Sequence, residues 1–234
     1  MYLNLDGAKA DTATAVNSVT VDWGDGTPKE NFIAAVYTSH KYADTGYYTI
    51  CVQDGANKAD YAKFGFSYIG VASNPPMNKL PIAIRKLSPK VKTFAAKSLC
   101  GCPNLSSISI DGGNSLNFPF TGFAIGAFDG DNNVQELSVR GCGAFVSNDA
   151  AGKSPFQPLE NWKVMRQGSF ADNFKYNANR TTSSAFKQLN IGMTHLTAIE
   201  DGALSGNQAL AGVALYDSAS TSNKLRKVGE NVFD

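Results

Sequence analysis

The sequence predicts a mainly β protein in which a small β-sandwich is followed by a solenoid of repeated units. The first seventy or so residues alternate short β-prone runs with turns rich in Gly, Asp and Asn, which is typical of a sandwich. From about residue 77 onward, apolar residues recur in a fixed pattern, which is typical of stacked repeats. A length of 234 residues, 43% of them hydrophobic, suffices for two such domains.

Charge and hydropathy exclude two classes of partner. The 21 Lys and Arg residues balance 20 Asp and Glu residues, giving a net charge of +1. Binding to nucleic acid or to an anionic membrane relies on excess positive charge, so neither partner is expected. The longest apolar stretches are only a few residues, far short of the ~20 needed to cross a bilayer, and no membrane span is expected.

The N-terminal strands are predicted over three runs, residues 18–23, 33–37 and 47–52. The first run ends at Trp23 and leads directly into Gly24, Asp25 and Gly26. Two glycines around an aspartate predict a tight turn in which the Asp25 side chain bonds to nearby backbone amides.

This Trp-Gly-Asp-Gly turn and a later H-x-Y-x-x-x-G-x-Y-x-[VI] run, His40 to Ile50, together resemble the PKD domain family. The resemblance implies an immunoglobulin-like sandwich, which we delimit at residues 1–73, of a kind used outside cells as a spacer and adhesion module. It implies structural roles for six motif residues: Trp23, Asp25, Gly26, Tyr42, Gly46 and Tyr48. A calcium site built from Asp22, Asp25 or Asp44 is the alternative for this loop, since hard cations prefer clustered oxygens.

The first half of the repeat unit is an apolar residue followed by others three and eight positions later. The five sets are Val91, Phe94, Leu99; Phe120, Phe123, Phe128; Trp162, Met165, Phe170; Leu196, Ile199, Leu204; and Leu225, Val228, Phe233. The second half is a triple at spacings of three and two, whose last members alternate as in a strand. The four triples are Leu105, Ile108, Ile110; Val134, Leu137, Val139; Phe186, Leu189, Ile191; and Leu210, Val213, Leu215.

A further triple, Met77, Leu80 and Ile82, is expected to begin the array just after Pro75 and Pro76, so the second domain is placed at residues 74–234. This pattern, with Cys102 at a characteristic position, resembles the BspA-like (LRR type 5) leucine-rich repeats of bacterial surface proteins. The unit starts fall 29, 42, 34 and 29 residues apart. A compact unit of that family has ~23 residues, so the excess is expected to form loops on the surface.

Stacked units expose one polar row of side chains on each strand, which offers a surface to partners. The candidate binding residues in these rows are Glu136, Arg140, Gln188, Asn190 and Tyr216. The chain stops at Asp234 after the first half of a fifth unit. We therefore expect that the natural protein continues or that this end pairs with another chain.

Two long insertions supply aromatic candidates. The first, between Val139 and Trp162, carries Phe145 and Phe156, which either anchor a partner or fold back onto the solenoid because exposed Phe is costly. The second, residues 172–185, carries Phe174, Tyr176 and Arg180, a mixture that suits glycan stacking or a protein hot spot. A purely structural loop is the alternative.

Enzymatic motifs are missing from the sequence. The four cysteines, Cys51, Cys100, Cys102 and Cys142, lack paired metal or redox spacing and are interpreted mostly as small buried hydrophobes. His40 and His195 fall in different predicted domains and are interpreted as surface or turn residues. Residues 129–133 resemble a calcium loop only superficially, because the ligand spacing of such loops is absent. We expect no catalytic residues and, apart from the calcium alternative, no cofactor.

The two resemblances together imply a non-enzymatic bacterial adhesion protein, displayed on the cell surface or secreted, with its signal or anchor segment outside this chain. Its expected partner is an extracellular protein or a glycan, bound through the repeat face and the insertions. Two alternatives stay open: a carbohydrate-binding or accessory module of a glycan-handling system, and a structural spacer.

Overall fold

The computed structural model describes residues 2–4, 18–33, 37–54, 61–63, 82–85, 91–94, 98–99, 102–115, 118, 120–129, 133–142, 154–173, 188–191, 195–207, 210, 212–214 and 224–234. This part of the chain contains strands and turns and no helix. It therefore holds no helix long and apolar enough to cross a membrane.

Six strands lie before residue 64: Tyr2–Asn4 (β1), Ser18–Asp22 (β2), Glu30–Ile33 (β3), Tyr37–Ser39 (β4), Cys51–Asp54 (β5) and Tyr61–Lys63 (β6). Ten follow: Ala83–Ile84 (β7), Val91–Phe94 (β8), Ser107–Ser115 (β9), Gly122–Phe123 (β10), Glu136–Cys142 (β11), Val164–Met165 (β12), Gln188–Asn190 (β13), Ala198–Ile199 (β14), Gly212–Ala214 (β15) and Lys227–Val228 (β16).

The N-terminal strands pair antiparallel. Strand β2 lies between β3 and β5, and β1 pairs with β4. β-branched residues favour β2, where Val21 is fully buried, and Trp23 just after the strand is fully buried as well. The predicted strand at residues 47–52 begins only at Cys51, because residues 44–48 form a loop closed by the Tyr48 hydroxyl, which donates to the Asp44 carbonyl at 3.0 Å. A two-sheet sandwich stays a prediction.

The later strands pair parallel, in the sheets β6-β8-β10, β7-β9-β11, β12-β14-β16 and β13-β15. The pairs join residues at equivalent positions of the sequence repeat: Phe94 with Phe123, Ile108 with Leu137, Met165 with Ile199, Leu189 with Val213, and Ile199 with Val228. Parallel pairing at this spacing is the contact that stacked repeats make. The solenoid itself stays a prediction.

The core of this region is rich in aromatic rings. Phe123 contacts Phe94 at 5.2 Å and Phe128 at 4.9 Å between ring centroids, and Phe156 continues the cluster to Trp162 at 5.8 Å. These five side chains are at most 7% exposed. Each buried ring contributes about 1.5–3 kcal/mol through the hydrophobic effect, so the cluster is a main source of stability.

Two strands differ from the sequence expectation. Ile84 pairs with Ile108 and is buried, whereas Ile82, the expected inward residue, is 43% exposed. Strand β6 lies before the predicted boundary at residue 74, yet its backbone pairs with β8 of the repeat region, Tyr61 opposite Val91. Tyr61, Phe64 and Ile69 have the same spacing of three and eight residues as the five recognised sets, and this signal was missed.

Candidate functional site

The longest strands, β9 and β11, present a polar surface that we call the β9–β11 face, formed by Ser109, Asp111, Glu136, Ser138 and Arg140. Along β11 the exposed or half-buried positions Glu136, Ser138 and Arg140 alternate with the buried Leu137 and Val139. Side chains of a strand point alternately to opposite sides, so packing the apolar residues inward turns the polar ones outward. Both sequence candidates on β11, Glu136 and Arg140, lie on this face.

An ion pair joins the carboxyl end of β11 to the middle of β9. Arg140 Nε lies 3.6 Å from Asp111 Oδ2, with the two side chains 46% and 58% exposed. Asp111 is itself oriented, because its Oδ1 accepts the Gly113 N–H at 2.8 Å. A pair this exposed contributes about 0–1 kcal/mol to stability. Its main effect is to fix the direction of two charged groups on the face.

The backbone beneath this pair is irregular. The register of β11 against β9 shifts between Arg140 and Cys142, which is the mark of a β-bulge. Gly141 has φ of 63° there, a left-handed conformation that glycine adopts without strain. A side chain on Gly112 would collide with the Gly141 carbonyl, so glycine is required at that close approach. Charged residues next to glycines therefore mark this end of the face.

Two buried asparagines, Asn173 and Asn207, were not predicted from the sequence. Asn173 is 0% exposed and Asn207 is 7% exposed. The Asn173 side chain bonds to the backbone of β11 at Val139 and Cys142, and the Asn207 side chain bonds to the backbone of Phe170 and Asn173. Each stands three residues after the last apolar residue of a set, Phe170 or Leu204, and Cys102 stands in the same place after Leu99. This shared repeat position is the sequence signal that could have identified the two asparagines as structural residues.

The other predicted residues of the repeat rows are less completely placed. Gln188 and Asn190 lie on β13, paired with Gly212 and Ala214 of β15, and only their backbone is described. Tyr216 lies outside the described residues. Among the described strands, β13 pairs with β15 and not with β9 or β11, so Gln188 and Asn190 do not belong to the β9–β11 face.

The aromatic insertion residues divide into two groups. Phe174, Tyr176, Arg180 and Phe145 lie outside the described residues. Phe156 is 2% exposed, and its ring contacts those of Phe123, Phe128, Trp162 and Phe170. It is a core residue and not an exposed anchor, because burial among other rings removes its apolar surface from water.

The N-terminal motif residues make structural contacts. The Tyr42 hydroxyl donates to the Trp23 carbonyl at 3.0 Å, and the Tyr42 ring stacks on Tyr48 with centroids 4.2 Å apart. Gly46 packs against the Tyr48 ring, where a Cβ would lie 3.3 Å from the nearest ring atoms. Gly26 has φ of 82°, which favours glycine in the turn.

Asp25 is the centre of the polar contacts in this turn. Its carboxylate accepts hydrogen bonds from the Thr27 hydroxyl at 2.6 Å and the Thr27 N–H at 3.1 Å. His40 Nε2 lies 2.7 Å from the other carboxylate oxygen. The hydrogen bond from the Thr27 side chain, then that from His40, lowers the pKa of Asp25 from 3.8 to about 2. His40, expected at the surface, is 11% exposed and stacks on Trp23 at 4.8 Å.

Two of the three aspartates considered for calcium, Asp22 and Asp25, have side-chain partners within the protein. Asp22 accepts the Gly24 N–H at 3.0 Å and lies 3.5 Å from the Lys29 ammonium, and Asp25 is engaged as described. Within the described ranges, no group of three His, Cys, Asp or Glu side chains is arranged to hold a metal ion. The hydrogen bonds of Asp22 and Asp25 give these two carboxylates a role in the turn itself.

The described cysteines are free thiols in different surroundings. Cys102 and Cys142 are buried, as expected, whereas Cys51 is exposed. Burial raises the pKa of the Cys142 thiol to about 12, so it stays protonated near neutral pH and donates to the Arg140 carbonyl at 3.3 Å. Cys142 is therefore a packing residue and a poor nucleophile.

Comparison of this chain with protein-family models, curated proteins and solved structures finds no match.

Proposed function

We propose that this protein is a non-enzymatic binding protein of a bacterial cell surface or secretome, which attaches to a host or neighbouring macromolecule. The β9–β11 face and the two insertions are its recognition surfaces. The observation that carries the proposal is the burial alternation of β11, which turns Glu136 and Arg140 outward beside Asp111. The surface location and the bacterial source follow from the sequence resemblances alone.

The β9–β11 face suits recognition because its polar groups stand on paired strands. Groups carried by strands are held more precisely than groups on loops, and a partner then loses less freedom when it binds. Ser109 is exposed and pairs with Ser138, one step along the face from the paired charged residues Asp111 and Arg140. Hydroxyl, carboxylate and guanidinium groups together can donate and accept hydrogen bonds with a polar partner.

The Asp25 and His40 pair supports a structural role more than catalysis. Nε2 of His40 lies 2.7 Å from Asp25, and Nδ1 lies 3.7 Å from Glu30 Oε1. A general base needs a ring nitrogen aimed at the proton it removes from a substrate. Here both nitrogens are directed at carboxylates of the same domain, which ties the turn to the strands.

A glycan is the second candidate partner. Exposed hydroxyl and carboxylate groups on the β9–β11 face match the hydrogen-bonding groups of a sugar, and Phe174 and Tyr176 of the second insertion would supply stacking surfaces. Under this hypothesis the chain is a carbohydrate-binding or accessory module.

Under the remaining hypothesis the chain is a structural spacer, and neither surface binds a partner.

A binding screen tests the proposal. Purified protein is applied to arrays of extracellular-matrix proteins and glycans, alongside two variants, Phe174→Ala/Tyr176→Ala and Glu136→Ala/Arg140→Ala. We expect a protein signal that at least one variant loses while its melting temperature stays within a few degrees of the wild type. A glycan signal lost in the same way favours the accessory module. Silence on both arrays, or a signal that both variants retain, contradicts the proposal.

A further inference from the structure

The buried amide of Asn173 holds the backbone on both sides of Arg140. Its Nδ2 donates to the Val139 carbonyl at 2.7 Å, and its Oδ1 accepts the Cys142 N–H at 3.1 Å. Nδ2 also donates to the Phe170 carbonyl at 3.0 Å, so both amide hydrogens are used. With Asn173 at 0% exposure, these bonds form away from water, where an unmade bond is costly.

The neighbouring segment reinforces this contact. The Val139 N–H donates to the Ser169 carbonyl at 2.7 Å, and the Gly141 N–H donates to the Ala171 carbonyl at 3.0 Å. Residues 169–173 therefore run along the edge of β11 that faces away from β9. Arg140 pairs with Asp111 at the edge of the bulge, and the regular ladder with β9 is interrupted directly after it.

The acidic partner of Arg140 is fixed independently. Asp111 Oδ1 accepts the Gly113 N–H at 2.8 Å, which leaves Oδ2 directed at Arg140 Nε, 3.6 Å away. The close approach of Gly112 to the Gly141 carbonyl brings the two strands together at this point. The position of the ion pair thus depends on where β11 is held, and Asn173 holds it.

We propose that Asn173 is a positioning residue, which holds the β11 bulge so that Arg140 meets Asp111 on the β9–β11 face. The meaning of this role for recognition rests on the proposed function, which assigns binding to that face. The geometric part is independent of any partner. Asn173 acts through Arg140 and is itself too deeply buried to touch a bound molecule.

The test is ¹⁵N relaxation of the labelled full chain, read at the backbone amides of Gly141 and Cys142 and at the Arg140 Nε–H. Asn173→Ala is compared with Ser154→Ala, a control that removes another buried side-chain group bonded to backbone, the Ser154 hydroxyl that accepts the Phe156 N–H at 3.2 Å. We expect order parameters at Gly141 and Cys142 to fall from about 0.85 to below about 0.6 in Asn173→Ala alone, with the Arg140 Nε–H losing order as well.

Unchanged order at these three sites in Asn173→Ala, or an equal fall in both variants, would overturn the inference. Should Asn173→Ala not fold, Asn173→Ser is measured in its place, because the shorter hydroxyl cannot make the bonds to both Val139 and Cys142. Local disorder in the Asn173 variant together with silent binding arrays would leave the positioning role standing and remove the proposed function. A binding signal without local disorder would do the reverse.

Discussion

At the scale of single residues, Phe156 tests the aromatic core. Replacing it with Ala removes a ring that contacts four other rings at a site only 2% exposed. We expect the free energy of unfolding, measured by urea titration, to fall by about 3–5 kcal/mol, because both the apolar contacts and the filled volume are lost.

Tyr47→Ser is the control for this change, since Tyr47 is 91% exposed. It should alter the free energy of unfolding by less than about 0.5 kcal/mol. A Phe156→Ala variant as stable as Tyr47→Ser would show that Phe156 belongs to a surface loop.

Asp25 gives a prediction about pH. The pKa of its carboxyl is lowered from 3.8 to about 2, first by the Thr27 side-chain hydrogen bond and then by His40. A group whose pKa is lower in the folded state stabilises that state above the unfolded pKa, and this stabilisation is lost as the pH falls through the folded pKa. Asp25→Asn should therefore lower the melting temperature at neutral pH, and its difference from the wild type should shrink between about pH 4 and about pH 2.

Melting curves of both proteins over this pH range check the prediction, with Asp44→Asn as a control of equal charge. A difference between wild type and Asp25→Asn that stays constant from neutral pH to pH 2 would show that the Thr27 and His40 bonds do not act on Asp25.

At the scale of elements, the contact of β9 with β11 depends on Gly112. A methyl group there collides with the Gly141 carbonyl, so Gly112→Ala must displace one strand. Gly113 is the matched control. Its φ of 62° makes any larger residue strained, but no atom lies within 4 Å of the position that a Cβ would occupy. We expect Gly113→Ala to cost about 1 kcal/mol and Gly112→Ala about 1–3 kcal/mol more.

Urea unfolding measures both costs, and amide hydrogen exchange of β11 shows where the damage lies. Equal stability of the two variants would mean that the strands do not approach as closely as described.

The registers of these elements were largely predictable. An apolar triple with a two-residue alternation allows one pairing that keeps its apolar residues inside, and Ile108 does face Leu137 in the structure. The sequence pattern assigns the inward position to Ile82 and not to Ile84, because both residues fit the same two-residue alternation. Only the observed pairing of Ile84 with Ile108 distinguishes the two.

The candidate site was predictable only in part. Glu136 and Arg140 could be placed outward from the strand period, whereas the ion pair with Asp111 depends on a bulge whose glycines have no strand signal. Asn173 reads in the sequence as the start of an insertion, because its role is set by hydrogen bonds to the backbone of β11, which is distant along the chain. The sequence does not decide whether Phe156 anchors a partner or packs into the core, because periodicity does not indicate which residues of a loop are buried.

At the scale of the whole molecule, the parallel pairings lead us to expect that the repeat units stack into an elongated body. A compact globule of 234 residues has a radius of gyration of about 17–18 Å. Small-angle X-ray scattering of the monomer should give a value above about 20 Å, because stacked repeats extend along one axis. A value near that of a compact globule would contradict the solenoid.

The recognition claim is tested most directly by the dissociation constant for the immobilised partner that the arrays identify, compared for the wild type, Arg140→Glu and Arg166→Glu. Arg140 and Arg166 are matched, since each is about half exposed and each faces a carboxylate, Asp111 or Glu200. Only Arg140 belongs to the β9–β11 face. We expect Arg140→Glu to weaken binding at least tenfold, or about 1.4 kcal/mol, and Arg166→Glu to change it less than twofold. Equal effects of the two substitutions would contradict recognition through this face.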